Sequence, residues 1–429
     1  MFFFSILLNL QFEKTGTSYF MNTIQDIRDK FPALSQTVYG KPLVYLDNAA
    51  TAQKPLEVIE LLNKMNSATN ANVHRAMYKL SDEATNLYEG ARERVREFIN
   101  APARENIIFT SGATAAINLV ASSFCAKWLK EGDAVVVTED SHHSNIVPWQ
   151  LACEKAGAEL KVLHINDNGE WMMEELECLL NERVKIVAAA HISNVLGIIN
   201  PIEELISKAH AKGIPVLVDG AQGIVHAKVD VQALDCDFYA FSAHKIYGET
   251  GSGILYGKQE LLEAMPPYMG GGDMVGTVTF AKTTYAPLPL KFEAGTPNFI
   301  GSAALKPALD FAYELHNGEL GKVVKESEES IIAYMKNALA QIDGAVLYGN
   351  VENKIPLFSF NIEGCHPGDI AQLLDKMGIA VRTGMMCAEP LMTRFGVTSM
   401  VRASFAPYNT LQEAEYLVES LKRAAGMLR

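Results

Sequence analysis

The sequence predicts an α/β protein with a mostly parallel sheet in a large domain, followed by a smaller α+β domain. From Val44 to about Ile254, short apolar β-rich runs alternate with segments of helical period. These runs are continuous rather than alternating, as expected of strands buried on both faces. After Ala303 a long helix leads into a second, differently patterned unit.

The elements of the large domain can be placed individually. Helices of amphipathic period lie between the strands, as at residues 201–212, and residues 266–297 are rich in Gly and Pro, which favours a long functional loop region. In the smaller unit, residues 357–361 are predicted as a strand and residues 367–376 as a helix. The predicted strands of the large domain are residues 106–110, 134–138, 185–190, 214–218 and 238–241.

These patterns predict three parts of the chain. Residues 43–305 form the large domain, with its boundary inside a helix, and residues 21–42 and 306–429 form the small domain. Residues 1–20 are expected to be a non-native or disordered extension that contributes nothing to folding. Their apolar run is too short to span a membrane and lacks a basic n-region. An over-extended start before Met21 is preferred, and a divergent signal sequence is the alternative.

Composition and charge exclude several classes of partner. The net charge is −13, from 37 basic and 50 acidic side chains, and no basic stripe is present. Nucleic acid and membrane surfaces are therefore disfavoured. The six cysteines form no Cys-x-x-Cys pair, which fits neither a disulfide framework nor a zinc site, so no metal is predicted and a reducing cytoplasm is the simplest compartment.

Three strand-end features of the large domain point to one ligand. Residues 110–114 follow a strand and open a helix, so their free N–H groups can bind an anion, although such a turn is often a plain connection. Asp219 ends a buried strand, where open α/β sheets bind ligands, although it could instead be a helix N-cap. Lys245 also follows a strand, and lysines are rarely buried without a partner.

Together these features predict pyridoxal 5′-phosphate (PLP). This cofactor needs a lysine that forms an imine with its aldehyde, a carboxylate that keeps its pyridine nitrogen protonated, and a helix terminus for its phosphate. Lys245, Asp219 and the turn at Ala113 and Thr114 supply these groups at strand ends of one sheet.

The sequence resembles the fold-type-I PLP enzymes, and within them the class V aminotransferase branch that holds cysteine desulfurases of the SufS type. The resemblance runs from about Phe31 to Leu428. It is carried by YLDNAAT at 45–51, NVHR at 72–75, HHSN at 142–145, SNVLG at 193–197, VDGAQ at 218–222, SAHK at 242–245, FEAGTPN at 292–298 and RTGMMCA at 382–388.

The resemblance implies roles for individual side chains. His142 would stack on the pyridine ring and take part in catalysis, and Gln222 and Asn194 would bond near the phenolic oxygen. Arg402, with Arg382 and Asn194, would bind the substrate, Arg402 clamping its α-carboxylate. The phosphate would be gripped by Thr114, Ser242 and His244 and, from the neighbouring subunit of a homodimer, by Thr296.

Cys387 is the candidate sulfur acceptor. A single cysteine is usually a small buried hydrophobe, but this one lies in the matching loop, between Gly384 and Pro390. Relatives commonly carry histidine just before it, whereas this chain has Met385 and Met386. An unperturbed thiol is only a few per cent thiolate at neutral pH, so activation must come from elsewhere, for example from Arg382 or from substrate protons.

The predicted function is therefore a cysteine desulfurase that converts L-cysteine to L-alanine and leaves a persulfide on Cys387. Such proteins pass the sulfur to a SufE- or SufU-like acceptor for iron–sulfur cluster assembly. Selenocysteine lyase and cysteine sulfinate desulfinase are alternatives on the same scaffold. A weakly active PLP-binding scaffold for a sulfur-transfer partner is a further alternative, disfavoured by the presence of both Lys245 and Cys387.

Overall fold

A computed structural model describes residues 21–429 of the chain. The predicted extension at residues 1–20 lies outside the described residues. Within residues 21–429 no helix is both long enough and apolar enough to span a membrane.

The strands and helices are numbered separately along the chain. The strands are Thr37–Val38 (β1), Lys41–Pro42 (β2), Val44–Tyr45 (β3), Ile107–Thr110 (β4), Ala134–Thr138 (β5), Glu159–Leu163 (β6), Val184–Ala190 (β7), Val216–Asp219 (β8), Phe238–Ser242 (β9), Gly253–Gly257 (β10), Val275–Val278 (β11), Thr283–Tyr285 (β12), Ala345–Tyr348 (β13), Leu357–Ile362 (β14), Ile379–Ala380 (β15), Arg382–Gly384 (β16) and Met400–Ser404 (β17). The helices are Ile24–Asp29 (α1), Leu56–Ala68 (α2), Lys79–Phe98 (α3), Ala113–Trp128 (α4), Val147–Ala156 (α5), Met173–Leu179 (α6), Ile202–His210 (α7), Gly223–His226 (α8), Val231–Leu234 (α9), Gln259–Ala264 (α10), Phe299–Ala303 (α11), Leu305–His316 (α12), Gly318–Ala340 (α13), Pro367–Lys376 (α14), Glu389–Arg394 (α15) and Leu411–Leu428 (α16).

The largest sheet in the described chain has seven strands in the order β4-β10-β9-β8-β7-β5-β6. Strand β10 pairs antiparallel with both of its neighbours, and every other pairing is parallel. The other strands therefore run in one direction, and their carboxyl ends meet at one edge of the sheet. This mostly parallel sheet confirms the predicted fold class.

Both faces of the sheet are buried, which explains the continuous apolar runs in the sequence. Along β9, Phe238 and Ala240 belong to a core with α4 and α5, whereas Tyr239 and Phe241 belong to a core with α3, α7 and α12. Successive side chains of a strand point to opposite faces. Every residue of β9 is therefore covered, and the strand is apolar or aromatic up to its last residue, Ser242.

Observed element bounds lie close to the predicted ones, with one difference in kind. Strand β5 and helix α14 have the predicted bounds, and α12 begins at Leu305, where the domain boundary was predicted. Residues 266–297 are not loop throughout, because β11 and β12 form a short antiparallel hairpin within them. β-Branched Val and Thr are frequent at residues 275–284, and the surrounding Gly and Pro obscured this signal.

A second, antiparallel sheet organises the C-terminal part of the chain. Its strand order is β13-β14-β17-β16, and α13, α14 and α16 pack against it in a separate core. Strand β3 pairs in parallel with β15 beside this unit. The small sheet brings β16 and β17 to the edge where the strands of the large sheet end. On this basis we propose that residues 43–305 form the large domain and that residues 21–42 and 306–429 form the small domain.

A buried ion pair joins the loop after β12 to the first strand of the large sheet. Arg92 on α3 is fully buried and binds the Glu293 carboxylate with both terminal nitrogens, at 2.6 and 2.9 Å. Glu293 also accepts hydrogen bonds from the Phe109 N–H at 2.7 Å and from the Tyr88 hydroxyl at 3.1 Å. The position of the loop that carries Thr296 therefore depends on this pair.

Replacing Arg92 by Ala is expected to lower the free energy of unfolding by about 3–5 kcal/mol, because the Glu293 charge remains buried without its partner. Chemical denaturation of the purified protein measures the change. Arg104→Ala is the matched control, because Arg104 pairs on the surface with Glu105 and such pairs contribute about 0–1 kcal/mol. Equal losses in the two variants would contradict the importance of the buried pair.

Candidate functional site

One cavity opens where the carboxyl ends of the large sheet face the small sheet. Its volume is about 180 Å³. The predicted site residues that line it are Ala113, Thr114, His142, Asn194, Asp219, Gln222, Ser242, His244, Lys245, Arg382 and Arg402. The fold therefore gathers, from five strand ends and two strands of the small sheet, side chains that lie up to 289 positions apart.

The amino end of α4 forms one wall of the cavity. Gly112 precedes the helix and supplies no capping side chain, and the Ser242 hydroxyl accepts the Ala113 N–H at 2.8 Å. Gly112 has a φ of +150°, and Gly253 must also be glycine because an added Cβ would lie 2.4 Å from the Gly112 Cα. This close packing leaves helix N–H groups directed at the cavity, which suits an anion such as phosphate.

Lys245 follows β9 in a short 3-10 turn, and Asp219 ends the neighbouring strand β8. Loss of water around Lys245 lowers the pKa of its ammonium to about 8, although Asp219 opposes the shift. Burial likewise raises the pKa of Asp219, which accepts the Ala221 N–H at 3.0 Å. A lysine with such a pKa has a useful fraction of neutral amine near neutral pH, which imine formation and proton abstraction require.

His142 is held as a neutral ring. Its Nδ1 accepts the Ser144 N–H at 3.1 Å and lies 2.6 Å from the Ser144 hydroxyl. Burial, followed by the charge of Lys245, lowers the pKa of His142 to about 4. A neutral, half-buried imidazole in the cavity wall can stack on an aromatic ring without adding a charge.

Two arginines form the wall on the side of the small sheet. Arg382 and Arg402 are directly paired residues of β16 and β17. Arg402 donates to the Asn194 carbonyl at 2.9 Å and to Asp47 at 3.0 Å. Like charges that face each other across a sheet destabilise it, so this pair indicates a site for an anionic group such as a carboxylate.

Two buried atoms without partners show that these residues fit PLP and an amino-acid substrate. Within the described chain, Nδ1 of His244 and Nε of Arg402 are buried and have no hydrogen-bond partner. Both residues line the cavity: His244 follows Ser242, which contacts the amino end of α4, and Arg402 is one of the two paired arginines. Buried polar groups are rarely left unpaired, so a bound phosphate and a bound carboxylate would satisfy them.

Cys387 lies beside the cavity rather than in its wall. Its neighbour Met386 lines the cavity, whereas Cys387 itself is exposed. Burial lowers the pKa of both Lys245 and Arg402, and the charge of a Cys387 thiolate is near enough to oppose that lowering slightly. These two cations, rather than a preceding histidine, form its electrostatic surroundings.

The other cysteines have no comparable setting. Cys125 and Cys236 are buried, and burial raises the pKa of the Cys125 thiol to about 12. Cys178 is exposed but lies on α6 and does not line the cavity. Among the six cysteines, all of which lie in the described residues, Cys387 is therefore the one with an accessible thiol beside the cavity.

Thr296 does not reach the cavity of its own chain, because it is exposed on the loop after Glu293. Its predicted contact with the phosphate in the site of a neighbouring subunit stays a prediction. The structure also identifies two residues to which the sequence assigned no role, Asp47 beside Arg402 and His143 beside Cys387. Both lie inside motifs that carry the resemblance, but only distances reveal their contacts.

Comparisons with known proteins agree with this geometry. Residues 44–417 match the family model for aminotransferase class-V. A probable cysteine desulfurase of Vibrio cholerae is 48% identical over 408 residues, which is 95% of this chain and 100% of the relative. A cysteine desulfurase of Cronobacter sakazakii is 47% identical over 409 residues, which is 95% of this chain and 99% of the relative.

Solved structures show the same similarity. The cysteine desulfurase CsdA from Escherichia coli superposes with a TM-score of 0.87 at 40% identity and covers 95% of this chain and 99% of its own. A cysteine desulfurase from Thermococcus onnurineus NA1 has a TM-score of 0.85 at 34% identity, over 92% and 98% of the two chains. The chain therefore belongs to the aminotransferase class-V family of PLP-dependent enzymes, on the branch that holds the cysteine desulfurases.

Proposed function

We propose that this protein converts L-cysteine to L-alanine and keeps the sulfur as a persulfide on Cys387. The observation that carries the proposal is the position of an exposed thiol next to a cavity that holds Lys245, Asp219 and a pair of arginines. Its similarity to named cysteine desulfurases supports the same reaction.

Different residues of the cavity would bind PLP and the amino-acid substrate. PLP, when bound, withdraws electrons from the Cα of an amino acid attached to it. The α4 terminus, Ser242 and His244 would hold its phosphate, Asp219 its pyridine nitrogen and His142 the face of its ring. Arg402 would take the substrate carboxylate with its free Nε and the remaining N–H of a terminal nitrogen, because Asn194 and Asp47 each engage one of the two terminal nitrogens and fix the guanidinium plane.

Proton and sulfur transfer would fall to two side chains. The neutral amine of Lys245 takes the Cα proton of the substrate as general base. The thiolate of Cys387 attacks the substrate Sγ, so an S–S bond forms while the bond between Cβ and Sγ breaks. The electron pair of that bond stays on Cβ, which gains a proton and becomes the methyl group of alanine, and the Lys245 ammonium returns a proton to Cα.

We propose that the protein is a cysteine desulfurase of the SufS type. We propose that the persulfide passes to a SufE- or SufU-like acceptor protein in the cytoplasm and supplies iron–sulfur cluster assembly. We propose a homodimer in which Thr296 of each chain contributes to the phosphate site of the other. The exposure of Thr296 and Cys387 is compatible with a second protein reaching each of them.

The first expected outcome concerns Lys245. Borohydride reduction of the PLP-loaded protein should attach a pyridoxyl group to the peptide that contains Lys245, because its lowered pKa makes the amine available. Peptide mass spectrometry locates the group, and Lys245→Ala should prevent labelling. Label on a different lysine of the parent protein would contradict the assignment.

The second expected outcome concerns Cys387. The variant Cys387→Ser should keep bound PLP and substrate binding but lose alanine formation from cysteine, because no thiolate remains beside the cavity. Chromatography of alanine measures the loss. Cys178→Ser is the matched control, since that thiol is also exposed but lies outside the cavity.

Alanine release by Cys387→Ser at the parent rate would contradict persulfide formation on Cys387. Turnover of selenocysteine or cysteine sulfinate could survive in this variant, because their leaving atoms depart more readily than thiol sulfur. Comparing the three substrates in the parent protein separates the desulfurase from the two alternative activities.

The third expected outcome concerns Asp47. Removing its carboxylate in Asp47→Ala frees one side of the Arg402 guanidinium, so the KM for cysteine should rise about tenfold while PLP content stays constant. Asp47→Asn keeps an oxygen acceptor and should show a smaller rise. Steady-state kinetics measure both, and a fall in kcat at constant KM would assign Asp47 a different role.

A further inference from the structure

We propose that His143 is a positioning residue for Cys387, because its main chain and its imidazole hold the strained turn that presents the thiol. The inference rests on the proposed function and deepens it. The sequence assigned no role to His143, and the residue does not line the cavity.

The turn that carries Cys387 has an unusual backbone. The Ala388 N–H donates to the Met385 carbonyl at 2.9 Å, which closes a tight turn around Met386 and Cys387. Their φ angles are +53° and +55°, so both central residues are left-handed, as in a type I′ turn. Glycine or asparagine usually takes such positions, and each other residue there costs on the order of 1–3 kcal/mol.

Contacts outside the turn offset this strain. The carbonyl of Met386 accepts the Asn194 amide at 3.0 Å, and the carbonyl of Cys387 accepts the main-chain N–H of His143 at 2.7 Å. The Nε2 of the His143 ring then accepts the N–H of Glu389 at 2.9 Å. The carbonyls of both left-handed residues and the chain just beyond them are thus attached to loops that follow β5 and β7.

These attachments matter for reaction rate because the thiol must reach one atom of the substrate. Misplacement of a reacting group by about 1 Å can cost about 100-fold in rate. A turn free to leave the left-handed region would move Cys387 away from the cavity for part of the time. The Asn194 contact cannot isolate this effect, since Asn194 lines the cavity. The His143 ring does not line the cavity, and its hydrogen bond goes to the Glu389 N–H just beyond the turn, although its centroid lies 6.3 Å from that of the His142 ring.

Three substitutions at His143 in the PLP-loaded protein test the proposal. In His143→Ala the main-chain bond to Cys387 remains and the bond to Glu389 is lost. In His143→Gln the side-chain oxygen can reach the position of Nε2 and accept that N–H. His143→Asn is the matched control, because it has the same amide but is shorter by one methylene and cannot reach.

We expect kcat for alanine formation from cysteine to fall about tenfold or more in the Ala and Asn variants, with KM changed less than about twofold. The Gln variant should recover kcat to within about threefold of the parent. Hydrogen exchange of the peptide spanning residues 385–391 should become faster in the Ala and Asn variants and return toward the parent rate in the Gln variant. Bound PLP and the melting temperature report whether each variant is folded.

Several results would overturn the proposal. They are an unchanged kcat in all three variants, a rise in KM instead of a fall in kcat, or an exchange rate at residues 385–391 that does not follow kcat across the series. If the parent itself forms no alanine from cysteine, the proposed function fails. Hydrogen exchange still decides, in that case, whether His143 holds the turn.

Discussion

The removal of water from Lys245 is the constraint on which the site depends. An ammonium at the end of a strand buried on both faces loses hydration, and the nearby Asp219 restores only part of that loss. Burial raises the pKa of the carboxylate and lowers that of the amine, and the charge of each group opposes the shift of the other. The parallel pairing of β8 and β9 makes this possible, because it places the carboxyl ends of the two strands side by side at a buried edge of the sheet.

The sequence predicted the mostly parallel character of the large sheet and five of its seven strands, since these signals are local, but it did not predict β6, β10 or the strand order. The apolar runs at β5 and β9 are continuous, and Asp219 and Lys245 each follow such a run directly. Parallel strands end at one edge, so the convergence of these residues follows from the fold class alone. The position of Arg402 could not be derived in this way, because it reaches the cavity from a separate sheet, and only the resemblance supplied it.

Other features of the site depend on distances that no local pattern encodes. Asp47 and Arg402 are 355 positions apart, and His143 and Glu389 are 246 apart. The sequence also did not indicate the left-handed backbone at Met386 and Cys387, because turns of that kind usually contain Gly or Asn at these positions. The hairpin of β11 and β12 was missed for the opposite reason, since its flanking glycines and prolines suggested irregular chain.

Strand β10 is the one strand of the large sheet, in the described chain, that runs against the rest, and it separates β4 from β9. Strands in a sheet lie about 4.8 Å apart, so the backbones of β4 and β9 are about 10 Å from each other, and the Ser242 side chain spans from the end of β9 to the Ala113 N–H. The reversed strand begins between them with Gly253, which lacks a side chain where one would block the gap. The single reversed strand thus sets the backbone separation at which a side chain from the strand before Lys245 can reach the first turn of the anion-binding helix α4.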